Sequence, residues 1–290
     1  MPAPSLLGAF RPTSVDVRAD ATSRTSLRIT AAYLALTTLP LARWCFATER
    51  YVPLAVHVAI LGVALALLLS RGGYVWLRDW IPLLLGPLLY VELGWIIAGS
   101  GAPHWDSVAW HWEAAVFPGD PSRSLADRWS WVWLSEILHA CYLSYYVLVF
   151  LPPAILWLRG RRRESTSTIL ALVLVFALCF VAFIVFPVDG PRFVRGAAPA
   201  PAGPVRSFVL WLLAAGSSRG TAFPSSHVAA GMVATLLALR YQRTIGYVTG
   251  ALTVGLALGA VYGGYHYAVD VVAGIIAGGL ATVISQRLES

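Results

Sequence analysis

Tyr262-Gly263-Gly264-Tyr265-His266-Tyr267-Ala268-Val269-Asp270 opens an apolar run that continues to residue 286. A matching arrangement stands upstream in Ala222-Phe223-Pro224-Ser225-Ser226-His227, ahead of the run 223–239. About 20 apolar residues are needed to cross a bilayer, so each histidine marks the entry to a span. His266 and Asp270 are four apart, which on a helix places them on one face with Cβ atoms roughly 5–6 Å apart. A carboxylate there can hold the far N–H of the imidazole and set its tautomer. Gly263 and Gly264 leave room for a group to approach the backbone. A helix N-terminus offers unpaired N–H groups and partial positive charge, which suits phosphate. Two such ends, two histidines and an aspartate point to phosphoryl transfer, provided the ends meet in space.

Working outward, the chain of 290 residues is 58% hydrophobic and 12% charged, against about 25% charged in a soluble domain. This is the composition of a polytopic membrane protein. The net charge of +7 comes from 21 basic residues, all arginine. They cluster briefly between apolar runs, as the positive-inside rule expects, so a nucleic-acid partner is excluded. Cys45, Cys141 and Cys179 lie inside apolar runs and read as small apolar side chains.

Eight spans follow from run length: about 28–47, 52–70, 80–98, 130–158, 167–187, 223–239, 245–262 and 266–286. The predicted fold is therefore all-α, a transmembrane helical bundle. Residues 1–27 read as a disordered cytoplasmic tail and 28–79 as two additional N-terminal transmembrane helices. Residues 80–290 read as the catalytic core, with outer-face loops 99–129 and 188–222. Arg71 and Arg78, Arg159 to Arg163, and Arg240 and Arg243 mark one side as cytoplasmic, together with both termini. His227 and His266 then fall together on the opposite, non-cytoplasmic face. A bacterial plasma membrane is the expected location.

Other polar residues weigh less. The Trp-rich stretch 99–129 reads as an interfacial helix, with a lid or headgroup platform as the alternative. A short helix is expected near 207–215. Glu92, Glu136 and His139 suit a polar headgroup or interhelical hydrogen bonds, and His57, alone in its span, reads as packing. The spacing of His104, His111 and Glu113 fits no helical ligand pair, so no metal or other cofactor is expected.

Three stretches carry a resemblance: Phe186-Pro187-Val188-Asp189-Gly190-Pro191-Arg192, then Ala222 to His227, then Tyr262 to Asp270. His139-Ala140-Cys141-Tyr142 adds a weaker fourth. Together they resemble the type 2 phosphatidic acid phosphatase superfamily, especially its inositol phosphorylceramide synthase-like branch, over about 135–286. The resemblance implies a six-helix core and a role for each matching residue. His266 would form a phosphohistidine and Asp270 would orient and charge-stabilise it. His227 would protonate the leaving oxygen and then deprotonate the acceptor. Arg192 would bind phosphate oxygens, helped by Ser225, Ser226 and backbone at Gly264, with His139 and Tyr142 at the substrate headgroup.

The chain departs from the phosphatase branch. It has no Lys, its order is Pro191-Arg192, and Gly259 and Ala260 occupy the Ser-Arg positions ahead of the last motif. Phosphate-binding charge is thus reduced, or supplied by Arg195, Arg206 or Arg219. These departures favour transfer of a phosphoryl or phospho-headgroup unit from a membrane lipid phosphate to a polar alcohol such as inositol. The alternatives are a lipid phosphate or polyprenyl diphosphate phosphatase, with water as acceptor, and a non-catalytic transporter or scaffold. A transporter expects helix breaks at the midplane, whereas the breaks here cluster at one face.

Overall fold

The computed structural model describes residues 16–70, 75–196 and 198–289. Their helices, in chain order, are α1 (Val17–Thr48), α2 (Val52–Leu69), α3 (Val75–Leu84), α4 (Gly86–Ser100), α5 (Asp106–Val116), α6 (Pro121–Arg128) and α7 (Val132–Leu143). They continue with α8 (Tyr145–Leu158), α9 (Arg162–Val185), α10 (Pro191–Arg195), α11 (Pro204–Gly216), α12 (Ser226–Tyr241), α13 (Arg243–Tyr262) and α14 (Ala268–Leu288). The fold is an all-α polytopic bundle, and among the described residues the one β feature is an isolated bridge from Val188 to Thr221.

Among the described residues, six helices are long and apolar enough to cross a membrane: α1, α2, α3–α4 taken together, α9, α13 and α14. The α7–α8 pair, bent by 45°, makes a seventh if it is counted as one span. The bend falls at Ser144, whose Oγ donates to the Cys141 carbonyl at 2.6 Å. The remaining expected span is α12, with 16 residues. At 1.5 Å per residue it is about 24 Å long, short of the ~30 Å hydrocarbon core.

α9 is the central post, with Leu170, Leu172, Val175, Cys179 and Phe183 fully or almost fully buried among α1, α4, α8, α12 and α14. α12 lies against α14 through Gly274 and Gly278, where a Cβ would meet the Ser225 and Ala229 carbonyl oxygens. Two small residues four apart let membrane helices approach closely. That contact sets the N-terminus of α12 beside the N-terminus of α14.

The expected tail is shorter than the sequence reading. Residues 17–27 belong to α1, while residues 1–15 and Arg71 lie outside the described residues. Asp16 caps α1 by accepting the Ala19 N–H at 3.1 Å. Thr22, Ser23 and Ser26, read as part of a disordered tail, are buried, and the Ser23 hydroxyl donates to Asp79 at 2.6 Å. Arg162 donates to both Asp79 oxygens, at 2.7 and 2.8 Å. Arg161 donates to the Tyr241 carbonyl at 2.7 Å, and Ser167 is bonded to Glu289. The arginine-rich turns and both described chain ends therefore share one end of the bundle.

His57 is not isolated. Its Nδ1 lies 2.8 Å from the Glu92 carboxylate and its Nε2 lies 2.9 Å from the Leu34 carbonyl, joining α1, α2 and α4. Single-span reading missed this because the partners come from two other helices. Cys45, Cys141 and Cys179 are free thiols, as expected from their apolar settings.

Candidate active site

At the end opposite the arginine turns, three chain segments close together. The Ala222 N–H donates to the Val188 carbonyl at 2.8 Å, and the Ser225 N–H donates to the Asp270 carbonyl at 3.0 Å. These bonds join the Asp189 stretch, the α12 entry and the α14 entry. The two histidines expected to meet do so, with ring centroids 6.1 Å apart.

His266 sits in the turn between α13 and α14 and is 5% exposed. Its Nδ1–H donates to the Ala222 carbonyl at 3.0 Å, and the Asp270 carboxylate is the second neighbour at 3.4 Å. A carbonyl accepts only, so Nδ1 carries the proton and Nε2 keeps its lone pair. Burial, opposed by the Ala222 hydrogen bond and assisted by the Arg192 charge, pushes this imidazole down to about 4. The ring is then neutral and nucleophilic near neutral pH. Asp270 Oδ2 is nearer to the Tyr267 N–H, at 2.8 Å, than to the imidazole. The expected pairing exists, but a backbone carbonyl is the closer partner of the ring.

His227 opens α12. Tyr142 stacks on it with centroids 5.2 Å apart, Tyr145 approaches to 4.3 Å, and its Nδ1 is buried without a protein partner. One pocket is lined by His227, His266, Arg192, Tyr265, Ser217 and Asp189. It adjoins a larger apolar cleft of about 1050 Å³, open mouth included, that runs past Tyr90, Tyr142, Tyr145, Phe176, Phe180 and Leu213. His227, Tyr142 and Ser217 face both spaces.

The four candidate arginines separate cleanly. Arg192 lines the pocket, is hydrogen-bonded to Ser217, and lies 4.5 Å over the Phe193 ring. Arg195 is paired with Asp120 and stacked 4.2 Å over Trp110. Arg206 donates to the Ala198 carbonyl at 3.0 Å. Arg219 is an exposed side chain 3.7 Å from Asp189. Arg192 is thus the one of the four that lines the two-histidine pocket.

Several expected ligands lie elsewhere. Ser225 is fully buried as the α12 N-cap and accepts the Val228 N–H at 3.5 Å, so its hydroxyl faces the helix. Ser226 lines the apolar cleft. Gly264 has φ +70 and packs against Ala198 at the back of the turn. His139 stands behind Tyr265, with centroids 5.8 Å apart. The α14 N-terminus is not an open anion site either. The Glu113 carboxylate accepts the Ala268 and Val269 N–H groups at 2.9 Å each, and Asp270 takes that of Tyr267.

The Trp-rich stretch holds α5 and α6 and is pinned over this end. The Trp105 N–H donates to the Pro187 carbonyl at 2.8 Å. Asp106 accepts the Asp189 and Gly190 N–H groups at 2.9 and 3.0 Å. Glu113, weighed as one of a His104/His111/Glu113 set, is a helix cap far in role from either histidine; His111 donates to its own helix, at the Ser107 carbonyl. Ligand-type atoms of His104, Asp106 and Asp189 do approach within 4.8 Å of one another. Their oxygens are engaged: Asp189 Oδ1 accepts from His104 at 2.7 Å and from the Gly220 N–H at 2.8 Å. Glu136, weighed as a headgroup ligand, accepts the Val205 and Arg206 N–H groups at 2.8 and 3.0 Å at the start of α11.

The fold and this end of the bundle define a polytopic membrane protein with one buried and one half-buried histidine, an aspartate and an arginine at the head of an apolar cleft. The family model of the PAP2 superfamily, the type 2 phosphatidic acid phosphatases, matches residues 126–284, more than half of the chain, and the chain belongs to that superfamily. Its members are phosphatases or phosphotransferases acting on lipid phosphates in membranes. Comparison with curated proteins and with solved structures gave no match.

Proposed function

We propose that the protein transfers a phosphoryl or phospho-headgroup unit from a membrane lipid phosphate to a polar alcohol through a phosphohistidine on His266. The observation that carries this reading is that His266, its Nδ1–H held by the Ala222 carbonyl, lines a pocket shared with His227 and Arg192. In the first step His266 Nε2 attacks phosphorus, Arg192 takes charge on the phosphate oxygens, and His227 protonates the departing lipid oxygen. In the second step an acceptor hydroxyl attacks the phosphohistidine and gives its proton to His227. Asp270 stabilises the imidazolium charge that develops between the steps. The apolar cleft beside His227 suits the hydrocarbon part of the donor. The chemistry needs no metal, since its charge stabilisation comes from Arg192 and the histidines.

The same intermediate partitions to water in a lipid phosphate or polyprenyl diphosphate phosphatase. The missing Lys and the Gly259-Ala260 pair support the alcohol, and with it the inositol phosphorylceramide synthase-like branch and a sphingolipid or phospholipid donor. The test is incubation of the purified protein with lipids radiolabelled in the phosphate, with and without inositol. Label moving into a phospho-alcohol is expected, with an acid-labile phosphoenzyme absent in His266→Ala. Label appearing only as inorganic phosphate would identify a phosphatase. Binding without turnover or phosphoenzyme would leave a transporter or scaffold.

A further inference from the structure

A guanidinium only donates, so in the contact between Arg192 and Ser217 the serine oxygen accepts from Nη2. The hydroxyl proton of Ser217 goes the other way, to the Leu213 carbonyl at 2.6 Å. Both functions of this hydroxyl are then engaged. Its contact is the one hydrogen bond of the Arg192 guanidinium among the described residues, and the Phe193 ring supports the group from one side at 4.5 Å. Ser217 is also the C-cap of α11, with its N–H bonded to the Leu213 carbonyl at 3.0 Å. Partial negative charge at a helix C-terminus favours a cation there. Ser217 lies outside all four stretches that carry the family resemblance.

The helix that ends on Ser217 is also a wall of the apolar cleft. Val209, Leu212, Leu213 and Gly216 line that cleft, while Leu213 and Ser217 line the two-histidine pocket as well. α11 is lightly fixed. Val209 is its one buried residue, and among the helices it packs chiefly on α7. Phe208 and Trp211 stack on each other on its exposed side. Its polar ties at the far end are the Glu136 carboxylate on the Val205 and Arg206 N–H groups and the Arg206 bond to the Ala198 carbonyl. A hydrocarbon chain in the cleft would take the Leu212 and Leu213 side chains out of contact with water and so favour this placement of α11.

We propose that Ser217 is a positioning residue that ties the Arg192 clamp to the wall of the apolar cleft, so that phosphate is gripped best when hydrocarbon fills the cleft. This rests on the reading of Arg192 as the phosphate clamp. Ser217 touches no reacting atom. It acts through Arg192, holding Nη2 and leaving the other N–H groups of the fork for phosphate oxygens. The chain of contacts runs from hydrocarbon to Leu212 and Leu213, from there to Ser217, and from Ser217 to the guanidinium. The consequence is selectivity for a lipid phosphate over a water-soluble phosphate ester, beyond what burial of the hydrocarbon itself supplies. Coupling of this kind is reciprocal: phosphate on Arg192 also strengthens binding in the cleft.

The test uses the full chain in detergent with dioleoyl phosphatidic acid or glycerol 3-phosphate, each radiolabelled in its phosphate. The readout is kcat/KM for total loss of label from the donor, to alcohol and water together, so it holds for transfer and for hydrolysis alike. Ser217→Thr and Ser217→Val share one shape and differ in the hydroxyl. Ser217→Val should lower kcat/KM for phosphatidic acid about tenfold, the effect of losing one hydrogen bond to a charged group, and leave that for glycerol 3-phosphate nearly unchanged. Ser217→Thr should keep the wild-type preference. Equal losses on both donors, as a merely structural role requires, would overturn the proposal, and so would wild-type values in Ser217→Val. A measurement that needs no turnover is the binding of radiolabelled inorganic phosphate with and without dioleoylglycerol, which offers the cleft hydrocarbon and carries no phosphate. Dioleoylglycerol should tighten phosphate binding about tenfold in the wild type and Ser217→Thr, and not in Ser217→Val. No tightening in the wild type would overturn the proposal while leaving the clamp in place. Phosphate binding unchanged by Arg192→Ala would instead overturn the clamp, and the proposal with it.

Discussion

The Nδ1–H of His266 lies 3.0 Å from the Ala222 carbonyl and 3.4 Å from the Asp270 carboxylate, so the backbone shares the work of fixing the tautomer. Where a carboxylate is the only partner of a catalytic imidazole, its amide replacement costs about 10⁴ in turnover because the tautomer inverts. Here Asp270→Asn keeps an oxygen for the Tyr267 N–H and leaves the Ala222 contact, so only charge is lost. Turnover should fall roughly 10- to 100-fold with the protein still folded. A loss of about 10⁴ in steady-state kcat would mean that the carboxylate alone sets the tautomer. Arg192 is the arginine that reaches the pocket while also bonded to Ser217. Arg192→Lys keeps the charge but loses the planar fork, and the donor KM should rise by about tenfold. If Arg192→Ala left kinetics untouched while Arg219→Ala did not, the phosphate clamp would be the exposed Arg219. The His266–Asp270 pairing was legible from the four-residue spacing, although α14 starts only at Ala268 and the imidazole reaches Asp270 from the turn ahead of the helix, not from one helical face. The Ala222 contact was not, because it joins positions 44 residues apart.

At the scale of elements, the start of α14 is held by α5 through a single carboxylate. Glu113 takes two N–H groups that would otherwise be buried without partners, just after His266 in the chain. Glu113→Ala should destabilise the protein by about 1–3 kcal/mol for each orphaned group, visible as a lower Tm in detergent. It should also reduce turnover, since the turn carrying His266 loses its anchor. Glu113→Gln, which keeps one acceptor, should recover much of the Tm. Equal Tm values for wild type and Glu113→Ala would show that α5 does not secure this turn. The long apolar runs and the short helix near 207–215 were readable, because run length and Pro/Gly punctuation are properties of one segment. The capping roles of Glu113 and Glu136 were not readable, because a carboxylate that caps another helix leaves no pattern in its own. The bend at Ser144 and the short α12 were equally hidden, since apolarity reports that a segment enters the membrane and not how deep it goes.

For the whole molecule, the decisive relation is between the reaction pocket and the arginine turns. They lie at opposite ends of the bundle, and between Arg159 and Ala202 the one membrane-length helix is α9. With 24 residues α9 is about 36 Å long, more than the ~30 Å hydrocarbon core. Irregular backbone cannot rest against lipid within that core, so the two positions should emerge on opposite sides. By the positive-inside rule, Arg159 is expected in the cytoplasm and the pocket on the other face. Arg159 and Ala202 are both exposed, so each can report its side without disturbing packing. In a background lacking Cys45, Cys141 and Cys179, Ala202→Cys should react with a membrane-impermeant thiol reagent added to intact cells. Arg159→Cys should react only after permeabilisation. The reverse pattern would put the two histidines on the cytoplasmic face, where donor lipid and alcohol come from a different pool. Labelling of both from the same side would mean that α9 does not cross, and the separation of pocket from arginine turns would no longer correspond to the two faces of a membrane.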